Sequence, residues 1–170
     1  MQIRVATAAD FEQIWPIVRA ITEAGEAYAL PRDLDEAAAR QLWMHAPQRT
    51  FVAEMHGRIV GSYYLKPNQA GGGSHVCNCG YAVAVEARGQ GVAAAMCRHS
   101  QHVARELGFD AMQFNFVVAS NVGAVRLWTK LGFETVGRLP RAFRHPDLGL
   151  VDALVMYKWL DRDTERRGDS

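Results

Sequence analysis

The stretch "VAVEARGQGVAAAM", Val83 to Met96, decides how this chain is read. A β-prone apolar run ends at Val85, an arginine and two glycines follow, and an alanine-rich segment with helical periodicity begins at Val92. Glycine accepts backbone angles that other residues resist, so Gly89 and Gly91 suit a tight strand-to-helix turn. The same arrangement leaves N–H groups exposed at a helix start, where the positive end of the dipole favours a bulky anion such as a pyrophosphate. A Walker A loop would end in Gly-Lys-Ser/Thr and is absent. A dinucleotide fingerprint would need a third glycine where Ala94 stands.

Working outward, His75 to Val85 reads as one long strand, and Val92, Ala95, Met96 and Val103 mark a helix that stops at Gly108. "AMQFNFVVAS", residues 111–120, is then a strand, and "NVGAVRLWTKLG", residues 121–132, a helix closed by Gly132. Near the start, Ile3 to Ala6 forms a short strand, and Thr7 with Asp10 makes a capping box. Phe11, Ile14, Ile17, Val18 and Ile21 recur at helical spacing in a helix that Pro16 is expected to kink. A second helix is expected from about Asp35 to Met44. Phe51 to Met55 and Arg58 to Leu65 read as a hairpin about His56-Gly57, and residues 67–74 as a flexible loop. The last strands are Phe133 to Gly137 and, after a loop containing Pro140 and Pro146, Leu150 to Trp159.

This order predicts an α/β fold: a mixed, mostly antiparallel central sheet of about seven strands flanked by four helices, with a right-handed crossover between the two central strands. The chain has 170 residues, 49% of them hydrophobic, enough for one domain over residues 1–160 with its own core. The charged run "DRDTERRGDS", residues 161–170, has little to bury and is expected to be a flexible tail. Nineteen basic residues against eighteen acidic ones give a net charge of +1, too balanced for a nucleic-acid surface and better suited to a small partner. Cys77, Cys79 and Cys97 have neither zinc-site nor disulfide-framework spacing, so no metal site is expected and the thiols read as buried core groups. With no signal-peptide pattern and no membrane-length apolar run, the cytoplasm is the default location and no membrane partner is expected.

Arg88, Gly91 and Ala93 match the pyrophosphate signature Q/R-x-x-G-x-G/A, preceded by the strand end "VAV". A second segment, "SNVGAVRLWTKLGF", Ser120 to Phe133, is similar to the helix pattern N-x-x-A-x-x-L-Y-x-x-x-G-F. Together they resemble the GNAT superfamily of acyl-CoA-dependent N-acetyltransferases, and the element order follows that family from Ile3 to Trp159. The resemblance implies acetyl-CoA as co-substrate. Val83, Ala84 and Val85 would offer main-chain groups to its pantetheine arm, and Arg88, Gly89, Gln90, Gly91, Val92, Ala93 and Ala94 would wrap its pyrophosphate. Asn121 would hydrogen-bond the pantetheine, and Ala124 would let the helix approach it. Trp128 stands where many members carry a tyrosine near the sulfur. An indole N–H donates a hydrogen bond but is no acid near neutral pH, so proton delivery to the departing thiolate would fall to solvent or Tyr81.

Asn78 and Asn115 interrupt good β-formers in "HVCNCGYAV" and "QFNFVV". The spelling "HVCNCGY", "FNFVVASN" and "AVRLW" resembles a GNAT subgroup that includes fungal enzymes acetylating proline analogues such as azetidine-2-carboxylate. That resemblance implies that Asn78 binds a polar group of the substrate and Asn115 orients the reacting centre; the alternative is that each satisfies neighbouring backbone. His75 is a candidate base or a plain exposed residue. Arg141 and Arg144 are candidates for a substrate carboxylate, or part of a solvated loop. Main-chain N–H groups near Val83 are the candidate oxyanion donors. The implied activity is transfer of acetyl to the amine of a small molecule, an amino acid or proline analogue among the candidates, by direct attack in a ternary complex. A protein N-terminal or lysine acetyltransferase and a catalytically silent CoA-binding sensor are the alternatives. A homodimer is a candidate assembly, dimers being common in the resembling family.

Overall fold

The computed structural model describes residues 1–160. Its elements, in chain order, are β1 (Gln2–Val5), α1 (Phe11–Ala24), α2 (Glu36–Arg40), β2 (Arg49–Met55), β3 (Arg58–Pro67) and β4 (Val76–Val83), then α3 (Val92–Glu106), β5 (Ala111–Val118), α4 (Val122–Lys130), β6 (Glu134–His145) and β7 (Gly149–Trp159). The strands form one sheet in the order β1-β2-β3-β4-β5-β7-β6. All neighbours are antiparallel except β4 and β5, the parallel pair joined through α3. This is the seven-stranded mixed sheet with four helices that the sequence predicts. The charged tail expected from residue 161 lies outside the described residues.

Local chemistry starts each element where it begins. Asp10 accepts hydrogen bonds from the Thr7 N–H (2.7 Å) and hydroxyl (3.0 Å), closing the 3-10 turn Ala8–Asp10 that leads into α1. The Arg4 guanidinium grips the same carboxylate at 2.8 and 2.9 Å, and this bidentate contact holds Asp10 well below the usual carboxylate range. Asp35 caps α2 by accepting from the Ala38 N–H at 2.7 Å, and α2 continues into a π-helical turn, Gln41–His45.

α1 and α2 cover one face of the sheet and α3 the other. On the first face the fully buried Trp43 donates its indole N–H to Ser62 Oγ (2.9 Å), which donates to the Phe51 carbonyl (2.8 Å), so this buried polar group is fully partnered. On the second face, Tyr63 meets His99 Nδ1 at 2.7 Å and Tyr81 meets Ser100 Oγ at 2.7 Å. Cys77, Cys79 and Cys97 are buried free thiols, as expected, and burial pushes Cys79 and Cys97 above the ordinary thiol range.

Two expectations are corrected. β4 ends at Val83, short of Val85, because Ala84 turns to donate its N–H to the Val60 carbonyl (2.9 Å) and Val85–Ala87 form a 3-10 turn. Residues 141–149 are also no loop: β6 runs on to His145, so only residues 146–148 make the turn. Pro140 is tolerated because β6 is an edge strand and its register slips between Leu139 and Phe143. There Arg141 takes φ 53°, and its N–H reaches Asp152 Oδ1 at 2.9 Å.

Candidate active site

β4 and β5 pair only at Val76–Ala111 and Cys77–Met112, and from there they part. Asn78 stands at the divergence. Its Nδ2 donates to the main-chain carbonyl of Gln113 at 2.9 Å, so a side chain replaces the next rung of the ladder. On the β7 side, β5 bulges between Phe114 and Val117, which turns Asn115 out of the regular alternation. The result is an open cleft of about 920 Å³ between the two strands.

Because Ala84 bonds Val60 in the antiparallel β3–β4 ladder, the residues two and four back, Ala82 and Gly80, also bond across it. Tyr81 and Val83 therefore aim their main-chain groups away from β3, toward the cleft. The Tyr28 hydroxyl, from the segment between α1 and α2, accepts from the Tyr81 N–H at 2.7 Å and donates to the Tyr81 carbonyl at 2.5 Å, standing in for a strand partner. Val83, next along, lines the cleft with its main chain directed inward. This keeps it a candidate for pairing with a pantetheine arm. Val85 lies outside β4 and its carbonyl accepts from the Arg88 N–H (3.3 Å), so strand-like pairing does not extend to it.

At the wide end, Gly89 (φ 74°) and Gly91 (φ 80°) take left-handed conformations in which a side chain would be strained. The main-chain N–H groups of residues 89–94 have no main-chain acceptor among the described residues. α3 begins immediately after Gly91, so its first-turn donors and dipole add to theirs. Arg88 is exposed with no ion pair among the described residues. Gln90 ties back to the Glu86 carbonyl at 2.9 Å, which fixes the loop. Val92 sends its side chain into the core against Gly61, leaving only its N–H for a ligand; Ala93 lines the cleft and Ala94 follows it in the first turn of α3.

α4 supplies the opposite wall. Asn121 caps it, its Oδ1 accepting from the Ala124 N–H at 3.2 Å, and Asn121, Ala124 and Trp128 line the cleft. Trp128 packs between Tyr81 and Phe114, with ring centroids 5.1 Å from each. The Tyr81 hydroxyl is spent on Ser100 in the core, and burial holds it well above the usual phenol range, so Tyr81 is no proton donor to a thiolate. Ser120 Oγ, also on the cleft wall, is buried without a partner among the described residues. An unmet donor, free main-chain groups at Val83 and a glycine cradle suit an arm carrying amides and ending in a pyrophosphate, which is the chemistry of acetyl-CoA.

At the narrow end the structure brings Asn78 and Asn115 together through Gln113. Gln113 Nε2 donates to Asn115 Oδ1 at 2.9 Å, and Asn115 Nδ2 donates to Asn68 Oδ1 at 2.7 Å. Asn78 is buried, yet its Oδ1 has no hydrogen bond among the described residues and the residue lines the cleft. His75, by contrast, is exposed and off the cleft, as are Arg141 and Arg144. From the end of the β6–β7 hairpin only His145 reaches it, with Nδ1 accepting from the Asp147 and Leu148 N–H groups at 3.1 and 3.2 Å.

Tyr28, Tyr64 and Lys66 also line the cleft, and no spacing along the chain singles them out. In the β3–β4 register Tyr64 faces Gly80, and a Cβ there would lie 2.5 Å from the phenol ring. A glycine opposite an aromatic is the signal, and it is visible only once the strands are paired.

Among the described residues there is no group of three or more His, Cys, Asp or Glu side chains placed to hold a metal, and no helix is long and apolar enough to cross a membrane.

Comparison with known proteins agrees with this geometry. An N-acetyltransferase of Schizosaccharomyces pombe, aca1, is 35% identical over 98 residues, 57% of this chain and 47% of that protein; it is a fungal enzyme, in keeping with the subgroup the asparagines suggest. The chain thus spans about half the length of this curated relative. A GCN5-related N-acetyltransferase from Kribbella flavida is 44% identical with a TM-score of 0.89, covering 94% of this chain and 97% of that one. A ribosomal-protein-alanine N-acetyltransferase from Brucella melitensis is 26% identical, TM-score 0.83, covering 94% and 100%. The sequence model of the Acetyltransferase (GNAT) family matches residues 12–133, from α1 through the cradle and α4 to Phe133, and on that match this chain belongs to the GNAT family of acetyl-CoA-dependent acyltransferases.

Proposed function

We propose that this protein transfers acetyl from acetyl-CoA to the amine of a small molecule, with amino acids and proline analogues as the leading acceptors. The observation that carries the reading is the parting of β4 from β5 after Cys77–Met112, which sets a glycine cradle at one end of a single cleft and a carboxamide cluster at the other. In a ternary complex the amine nitrogen attacks the thioester carbon, the C–S bond breaks, and the sulfur leaves as thiolate while the nitrogen loses a proton. The Val83 N–H is the main-chain donor directed at this region, and such a donor stabilises the developing oxyanion. Asn78 offers a free Oδ1 to a polar group of the acceptor, and Asn115 orients the reacting centre; a carboxamide takes no proton, so the amine proton leaves through water. A thiol near the ~8.5 of cysteine leaves adequately near neutral pH, which fits Trp128 in place of a tyrosine acid.

A small acceptor is favoured over a peptide because Tyr28 and His145 wall the cleft from two different segments. The likeness to the ribosomal-protein-alanine enzyme keeps a protein amine as the second reading. The test is thiol release from acetyl-CoA with a panel of proline analogues, amino acids, polyamines and short peptides. Release with one small-molecule class, abolished in Asn115→Ala and largely retained in Trp128→Phe, supports the reading. Acetyl-CoA raising the melting temperature with no release from any acceptor would favour a silent sensor, and release from peptides alone would favour the second reading.

A further inference from the structure

Among the described residues, the charged side chains that line the cleft are few: Arg88 at the cradle, Glu26 and Lys66, with His145 as a further titratable group. Lys66 belongs to the acceptor end. In the β3–β4 register it lies opposite Asn78, on the same face of β3 as Tyr64 two residues earlier. Its ammonium stands 5.6 Å from the centroid of the Tyr64 ring. Lys66 is half-buried and makes no ion pair among the described residues; Glu26 leaves it unneutralised, as no pair joins them.

Tyr64 extends this feature toward the reacting centre. Its ring crosses β4 at Gly80, with the hydroxyl 2.7 Å from where a Cβ would stand, one residue from the Tyr81 main chain. Trp43 holds the ring edge-on at 4.9 Å. The phenol makes no hydrogen bond among the described residues, and burial raises its pKa to about 12, so it remains a neutral donor across the working range. An unpaired ammonium and an unspent hydroxyl on one face, beside the free Oδ1 of Asn78, leave donors in excess where the acceptor must lie.

We infer that Lys66 and Tyr64 form the subsite for a carboxylate on the acceptor amine, Lys66 supplying the charge and the Tyr64 hydroxyl a directed hydrogen bond. This rests on the acetyltransferase reading above. It moves the carboxylate partner from Arg141 and Arg144, which lie off the cleft, to a β3 residue that lines it opposite Asn78. The subsite confers selectivity by charge: an acceptor whose carboxylate is replaced by a carboxamide meets an ammonium with nothing to neutralise.

The test pairs each carboxylate-bearing amine, amino acids and proline analogues, with its own carboxamide and measures thiol release at saturating acetyl-CoA. The wild-type protein is expected to prefer the carboxylate by about tenfold or more in kcat/KM. Lys66→Met should lower kcat/KM for the carboxylate by about tenfold and for the carboxamide by less than about twofold, with Lys66→Arg restoring most of the loss. Tyr64→Phe should reduce the same preference with the fold intact. Equal loss for both members of a pair, or reaction of carboxamides or polyamines but of no carboxylate, overturns the subsite and leaves the transferase standing. If no amine of either kind releases thiol, both readings fall; a melting-temperature rise with acetyl-CoA then shows that the cradle still binds.

Discussion

The two ends of the cleft are built on different principles. At the wide end the candidate binding groups are main-chain N–H donors within one run, residues 89–94, set by two glycines in left-handed conformation and the start of α3. Nearer the narrow end the candidate groups are side chains from separate elements: Tyr28 from the α1–α2 segment, Tyr64 and Lys66 from β3, Asn78 from β4 and Asn115 from β5. A backbone cradle recognises a constant feature and tolerates side-chain drift. A side-chain pocket recognises a variable one, and each residue in it depends on strand register. Under the proposed acetyl transfer, the difference would make donor and acceptor separately tunable on one sheet.

The largest effect on this comparison is expected from Gly91→Val. A β-branched residue at φ 80° is strained and pulls the cradle N–H groups away, so acetyl-CoA binding should weaken by roughly tenfold to a hundredfold. Calorimetry of acetyl-CoA binding reads this directly, and unchanged affinity would break the claim that the cradle is a main-chain device.

Gly80→Ala probes the other end. The new methyl would lie 2.5 Å from the Tyr64 ring, which must swing away from β4. The expected outcome is about a tenfold fall in kcat/KM for the amine, with acetyl-CoA affinity within about twofold of wild type. Loss of acetyl-CoA affinity instead would show that the ends are not separable.

A smaller change is expected from Trp128→Phe, which keeps an aromatic between Tyr81 and Phe114 and removes only an indole N–H. Steady-state kcat should fall by no more than about threefold, whereas a loss near a thousandfold would make the indole a participant in chemistry.

The smallest effect on either end is expected from Asp10→Asn, which acts on stability alone. Because Arg4 holds the Asp10 pKa below its unfolded value, the charged carboxylate stabilises the fold above the ordinary carboxylate range, and that contribution is lost as pH falls toward the folded value. The variant should be less stable by about 2 kcal/mol at pH 7, and the gap should close progressively below about pH 4 in denaturant titrations. A gap that does not depend on pH would assign the loss to packing.

The legible parts of the sequence were those whose physics is local. The capping box at Thr7 and Asp10, the helical periodicity of α1 and α3, and the glycine turn all express short-range constraints, and the structure has them where the residues put them. Asn78 and Asn115 stood out as residues disfavoured in strands, but why they are there needed the sheet: one ends the β4–β5 ladder on the Gln113 carbonyl, the other sits in a bulge and reaches Asn68. Pro140 misled, because it reads as a loop unless β6 is known to be an edge strand, whereas Pro146 does lie in the turn after it.

By itself, then, the sequence determined the element order, the family and the glycine turn that opens α3, since helix starts, turns and left-handed glycines answer to neighbours a few residues away. Only the tertiary structure decided where β4 leaves β5, and which aromatic and charged side chains line the cleft between them. Those follow from pairing residues such as Tyr64 with Gly80 and Lys66 with Asn78, partners brought together by strand register across the sheet and not by any spacing along the chain.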